Sequence, residues 1–140
     1  AAALLEAGAP GLRILNRTRA RAEALAAALG GPVTVFAEGD AAALAGAQLI
    51  VNATTLGLGG GDGPPIALDG APASAVVMDM VYRPLKTEFL RRAEGLGMRT
   101  VDGLAMLIGQ AGPSFEALFG RAPPAIDVRA LCLAALEAAA

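Results

Sequence analysis

Leu12-Arg13-Ile14-Leu15-Asn16-Arg17-Thr18-Arg19-Ala20-Arg21 decides the reading of the fold, because a short apolar run passes directly into a helix start bearing Arg17, Arg19 and Arg21. The N-terminal end of a helix presents unpaired N–H groups and a partial positive charge. Acidic side chains belong there, and arginine is unfavourable by roughly a few tenths of a kcal/mol or more. An anion is therefore expected against this turn, and a phosphate meets the need through backbone N–H groups and guanidinium contacts together. In a βαβ nucleotide fold the end of the second strand carries either an acid that holds the ribose 2′-hydroxyl of NAD or an arginine that accepts the 2′-phosphate of NADP. Here that position reads Asn16-Arg17, which points to NADP. A solvated face on an Arg-rich helix is the alternative local reading.

Working outward, apolar runs of strand length alternate with helical patterns. Ala1 to Ala7 reads as a helix tail closed by Gly8 and Pro10, and Leu12 to Asn16 as a strand. Thr18 to Leu29 is a predicted helix with Ala22, Leu25, Ala26 and Leu29 on one face, ended by Gly30-Gly31. Val33 to Phe36 and Leu49 to Asn52 are strands on either side of a short helix at Ala41 to Ala45. The glycine-rich stretch Gly57 to Pro65 follows a strand as a phosphate cradle would, but Pro64-Pro65 stand where a helix should start, so it reads as a surface loop. Ala75 to Met80 is a near-continuous apolar strand with a stop at Pro84, followed by a helix from about Thr87 to Glu94 and a strand at Arg99 to Val101. A helix over Leu104 to Phe119 carries Leu107, Ile108, Ala111, Phe115, Leu118 and Phe119 on its apolar side. After Pro123-Pro124, Asp127 caps a last Ala-rich helix. Such alternation implies a mostly parallel sheet covered on both faces.

Composition narrows the chemistry. The chain has 140 residues, one domain's worth, with 55% hydrophobic residues, much of it alanine, and a net charge of −2 that argues against bulk nucleic-acid binding. It contains no histidine and a single cysteine, Cys132, so zinc sites and Ser-His-Asp triads are excluded, and any proton transfer within the chain falls to Asp, Glu, Lys or Tyr. A lone thiol inside Leu131-Cys132-Leu133 suits packing and a reducing compartment. The longest uncharged run, Ala41 to Gly61, holds Gln48, Asn52, Thr54 and Thr55 and makes a poor membrane span, and Ala1 to Glu6, with no basic stretch before a cleavage site, are not expected to be a signal peptide. A cytoplasmic protein that binds no nucleic acid and no membrane is expected.

Four motifs in order resemble shikimate dehydrogenase, specifically its C-terminal NADP-binding half. They are Asn16-Arg17-Thr18 with Arg21; Asn52-Ala53-Thr54-Thr55-Leu56-Gly57; Asp79-Met80-Val81-Tyr82-Arg83-Pro84-Leu85; and Asp102-Gly103-Leu104-Ala105-Met106-Leu107 with Gln110. Ala105 stands where the family usually has glycine. The resemblance implies that the first motif holds the adenosine 2′-phosphate and the second lies along the cofactor. The third and fourth approach the nicotinamide and the substrate, with Met80, Val81, Gly103 and Met106 on the cofactor side and Tyr82 and Gln110 on the substrate. The implied reaction is NADPH-dependent reduction of 3-dehydroshikimate to shikimate. Quinate or another cyclic hydroxy acid is the near alternative, and an NADP-binding module without catalysis the distant one. A homodimer is the candidate assembly of the full-length enzyme.

The family pattern also places a catalytic lysine and aspartate, the first strand and its glycine-rich turn ahead of residue 1. No Lys-Asp pair here matches that pair, since Lys86, the only lysine, follows Tyr82. The expected fold is therefore α/β, a partial Rossmann-type doubly wound parallel sheet lacking its first strand, with C-terminal helices. Residues 1–120 would form the partial NADP-binding domain and 121–140 a C-terminal helix. Without a central first strand, the Leu12 to Phe36 half is expected to separate from the strands that follow, leaving backbone groups unpaired along the gap.

The residues carry local readings of their own. Tyr82 leaves a buried strand at the end where open α/β sheets bind ligands, though without the resemblance an ordinary tyrosine at the core's edge is the favoured local reading. Gly103, Met106 and Gln110 share one helix face, offering bare backbone, a soft apolar side chain and an amide, or else a helix start with a core methionine and a solvated glutamine. Asn52, Thr54 and Thr55 could bond a cofactor or the turn that follows them.

Overall fold

The computed structural model describes residues 1–138, so the last two residues of the expected segment 121–140 lie outside the described residues. The order is α1 (Ala2–Glu6), β1 (Leu12–Leu15), α2 (Arg19–Leu29), β2 (Val33–Phe36), β3 (Leu49–Asn52), β4 (Val76–Asp79), α3 (Glu88–Gly95), β5 (Arg99–Val101), α4 (Gly103–Phe119) and α5 (Val128–Ala138). All strand pairings are parallel. β1 pairs with β2 from Leu12↔Val33 to Leu15↔Phe36. In a separate ladder β4 lies between β3, matched from Leu49↔Val76 to Asn52↔Asp79, and β5, matched from Val76↔Arg99 to Met78↔Val101. The sheet is thus divided as expected between the Leu12 to Phe36 half and the later strands, and β1 and β3 each pair on one side only. Two compact units follow this division: residues 1–47 with 65–72, and residues 48–64 with 73–140.

The first unit has a thin core of Ala22, Ala43, Leu44 and Leu68. α2 buries only Ala22, and Leu25, expected on its apolar face, is 45% exposed. A two-stranded ladder covers a narrower strip of helix than a full sheet would. Arg13 adds cohesion: its Nη1 donates to the carbonyls of Ala42 (3.2 Å), Ala43 (3.0 Å) and Ala45 (2.6 Å), and its guanidinium lies 5.8 Å from the Phe36 ring centroid. Those carbonyls end a 3₁₀ turn, Ala41–Ala43, where the backbone supplies few partners of its own.

The second unit holds the larger core, with Ile50, Ala75, Val77, Val81, Phe89, Leu90, Ala93, Met98 and Leu104 buried. α3 shows why its segment is helical. The Thr87 hydroxyl accepts from the Leu90 N–H at 3.3 Å, Glu88 sits in the first turn and Arg92 in the last, and Phe89, Leu90 and Ala93 fall on the buried side. Burying the Phe89 ring alone contributes about 2–3 kcal/mol. α4 departs from expectation, because only Gly103 and Leu104 are buried, while Leu118 is 79% and Phe119 61% exposed. Its first turn packs on the residues after β4, and α5, which buries none of its own described residues, covers little of the rest. Phe115 and Phe119 instead pack on each other with ring centroids 4.5 Å apart. Among the described residues no helix is long and apolar enough to cross a membrane.

Gly103 makes the tightest contact of this unit. A Cβ there would stand 2.5 Å from the Met80 carbonyl oxygen and 2.6 Å from that of Val81, both backbone atoms. Gly109, further along the same helix, faces open space. Gly103→Ala is expected to destabilise the chain by about 1–3 kcal/mol through forced backbone movement, whereas Gly109→Ala should stabilise it by about 0.5–1 kcal/mol. Urea unfolding followed by far-ultraviolet circular dichroism checks both.

Candidate functional site

The arginine-rich turn lies in the first unit, directly after β1. Asn16 Nδ2 donates to the Thr18 carbonyl at 2.9 Å and so fixes the bend from strand to helix. Thr18 occupies the N-cap position, but its side chain accepts from none of the first-turn N–H groups, and no acidic residue lies in that turn. Arg19 is tied to Glu23 one turn on at 2.7 Å, on the surface. Arg17 and Arg21 are exposed and make no side-chain hydrogen bond or ion pair among the described residues. An uncapped helix start beside two unengaged guanidinium groups fits a small dianion.

The remaining sequence-derived residues lie in the second unit, at the carboxyl ends of β3 and β4 and on α4. Asn52 is buried, and its amide is fully used: Nδ2 donates to the Leu56 carbonyl (3.0 Å) and Asp79 Oδ1 (2.9 Å), while Oδ1 accepts from the Thr54 N–H (3.0 Å) and hydroxyl (2.7 Å). These bonds tie the side chain to the turn that follows it. The consequence is presentation, since Ala53, Thr54 and Thr55 are held exposed just beyond it. Val81 turns its side chain into the core and donates its N–H to Asp79 Oδ1 at 2.9 Å. Met80 and Tyr82, on either side of it, are each 38% exposed.

On α4, Gly103 is filled against the carbonyls of Met80 and Val81, so its missing side chain makes room for protein backbone. Met106 is half-buried, Gln110 is exposed, and the Gln110 carbonyl accepts from the Ser114 hydroxyl at 2.8 Å. Tyr82 borders a cavity of about 230 Å³ whose other walls are Arg83, Leu104 and Leu107 and, from α5, Cys132, Ala135 and Leu136. Lys86 is tied to Glu94 at 2.5 Å on the surface. Among the described residues no group of His, Cys, Asp and Glu could hold a metal ion.

Two features escaped the sequence. Asp79 is completely buried with no cationic partner among the described residues, and accepts from Asn52, Val81 and, at 2.7 Å through Oδ2, the Thr87 hydroxyl. An acid closing the apolar run Val76-Val77-Met78 was the available signal. Asp102 caps α4 through the Ala105 N–H (2.9 Å) and grips Arg129 of α5 at 2.6 and 3.2 Å. Nothing local marks that pair.

No family model matches the chain. Shikimate dehydrogenase (NADP(+)) of Caulobacter vibrioides is 60% identical to it over 135 residues, covering 94% of this chain and 47% of that relative. The chain is homologous to the C-terminal half of shikimate dehydrogenases. It spans about half the length of the curated relatives it matches. Among solved structures, quinate dehydrogenase from Corynebacterium glutamicum in complex with NAD superposes with a TM-score of 0.78 at 31% identity, covering 88% of this chain and 46% of that one. Shikimate 5-dehydrogenase from Thermus thermophilus in complex with NADP(H) and shikimate gives 0.74 at 36%, covering 87% and 44%. The fold is accordingly the Rossmann-like α/β fold of these dehydrogenases.

In this shikimate dehydrogenase-like half, the Arg129 guanidinium holds the Asp102 carboxyl below the usual carboxylate range, with the Ala105 N–H acting the same way and partial burial opposing both. A depressed folded value means stability that is present above the unfolded value of about 3.9 and is lost as pH falls through the folded one. Arg129→Ala should therefore lower the urea midpoint at neutral pH, with the difference from wild type shrinking below about pH 4. A difference that stays constant from pH 7 to pH 3 would show that the pair does not link the two helices.

Proposed function

We propose that this chain supplies the cofactor-binding part of an NADP-dependent oxidoreductase that interconverts 3-dehydroshikimate and shikimate. The observation that carries the reading is the identity with NADP(+)-named shikimate dehydrogenases along nearly the whole chain. The uncapped start of α2, with Arg17 and Arg21 unengaged, fits the 2′-phosphate independently of that identity. In this reading residues 1–120 form the NADP-binding domain and 121–140 an added helix. The compartment is the reducing cytoplasm, which suits the free thiol of Cys132.

NADPH supplies the hydride when bound, and the protein contributes binding and orientation. Arg17 and Arg21 pair with the 2′-phosphate, which Asn16 and Thr18 frame through the shape of the turn. Ala53, Thr54 and Thr55 run along the cofactor because Asn52 presents them. Met80 and Met106 offer soft apolar contacts, and Val81 and Gly103 set the backbone beneath. Tyr82 and Gln110 meet the hydroxy acid with a phenol and an amide, both able to donate and accept. A quinate-type cyclic hydroxy acid is the second reading, favoured by the likeness to the Corynebacterium quinate dehydrogenase.

In the full-length protein carrying this chain, Arg17→Ala should weaken NADP far more than NAD, by about 1–3 kcal/mol for the lost charge-assisted bond. Titration with both dinucleotides reads this, and equal losses would remove the 2′-phosphate assignment. Tyr82→Phe and Gln110→Ala should each cost about 1–3 kcal/mol in kcat/KM for shikimate with the NADP dissociation constant nearly unchanged. Weakened NADP binding with unaltered substrate kinetics would place these side chains on the wrong ligand.

A further inference from the structure

We infer that Asp79 and Thr87 are positioning residues for Tyr82, acting through the backbone that carries it. The inference rests on the reading of Tyr82 as a substrate contact and goes beyond it in naming what holds Tyr82 in place. Asp79 is fully buried, and its three donors come from three segments: the Asn52 amide at the end of β3, the Val81 N–H next to Tyr82, and the Thr87 hydroxyl at the start of α3. All three donors are uncharged. A carboxyl buried with no cation is expensive compared with an apolar residue of similar size, so cohesion alone is a weak reason for an acid here.

The geometry around Tyr82 supplies a stronger one. Residue 81 is held by its N–H on Asp79, and residue 83 by its carbonyl, which accepts from the Gly59 N–H at 2.9 Å. Tyr82 sits between those two anchors, 38% exposed, and its hydroxyl has no partner among the described residues. The carbonyls of Met80 and Val81 press against Gly103. The loop that delivers Gly59 also rests on the clamp, since a Cβ at Gly57 would lie 3.7 Å from Thr87 Cβ and 4.0 Å from Asp79 Oδ2. Thr87 joins these contacts to α3, because its hydroxyl donates to Asp79 while accepting from the Leu90 N–H. A phenol aimed by its backbone in this way depends on the Thr87–Asp79 bond, although both residues are completely buried.

The test uses Thr87→Val, which keeps the shape and removes both the donor to Asp79 and the acceptor that caps α3, with Thr87→Ser as the conservative rescue, in the full-length protein carrying this chain. Thr87→Val should lower kcat/KM for shikimate about tenfold with the NADP dissociation constant within about twofold, Thr87→Ser should restore most of the loss, and Thr87→Val should cost much less in a Tyr82→Phe background. A Thr87→Val protein that is folded by circular dichroism and keeps wild-type kinetics overturns the inference, as does a loss of equal size in the Tyr82→Phe background. If Thr87→Val does not fold, Thr87→Ala replaces it, removing the same hydroxyl with a smaller side chain beside Asp79, and the same outcomes decide. A Tyr82→Phe protein with unaltered kinetics would instead remove the substrate reading of Tyr82, and the inference with it. A Tyr82→Phe defect beside unimpaired Thr87→Val removes the positioning role alone.

Discussion

The buried carboxyl of Asp79 is the joint on which the second unit is organised. Asn52 and Asp79 are register partners at the last position of the β3–β4 ladder, so the parallel pairing itself brings the amide beside the carboxyl. Each oxygen then collects donors from chain that has already left the sheet. In a low-dielectric interior such bonds are strong when complete and costly when one member is missing. The two loop segments after β3 and β4 and the first turn of α3 consequently share one fixed geometry. The exposed residues of the site sit on chain held by that geometry, which is what pre-organised binding requires.

The first unit is held by different means. Its core is half alanine, and one arginine on β1 serves as both carbonyl cap and aromatic partner. α2 contrasts with α3 in its cap, its first-turn charge and its burial. It has no side-chain cap and no acid in its first turn, and it buries one residue where α3 buries three. A helix that begins with unmet positive charge gains stability from an anion bound there, by linkage between binding and folding.

Much of this architecture was legible because period and punctuation are local. The strand cores, the start of α3 at Thr87, the Gly30-Gly31 stop and the division of the sheet all follow from neighbours in sequence or from the family's strand order. Coverage was not legible. Leu25, Leu118 and Phe119 lie at helical spacing, but whether a face is buried depends on what is packed against it, and a two-stranded ladder and a sparsely packed α5 leave these residues exposed. Partners far apart in the chain were also hidden: Asn52 and Asp79 are separated by 27 positions, as are Asp102 and Arg129. Gly103 shows a third kind of gap. Its need for a bare Cα was readable, while the identity of the close neighbour, two carbonyl oxygens of its own chain, required the fold.

The exposed phenol of Tyr82 also has an optical consequence. The chain has one tyrosine and no tryptophan, so essentially all of its ultraviolet emission arises from Tyr82, beside the cavity between α4 and α5. Fluorescence of these 140 residues is therefore a reporter of one place in the second unit. Melting of α2 and its ladder, which contain only phenylalanine among aromatics, would pass nearly dark, and a single clean emission transition would say nothing about whether the two units unfold together.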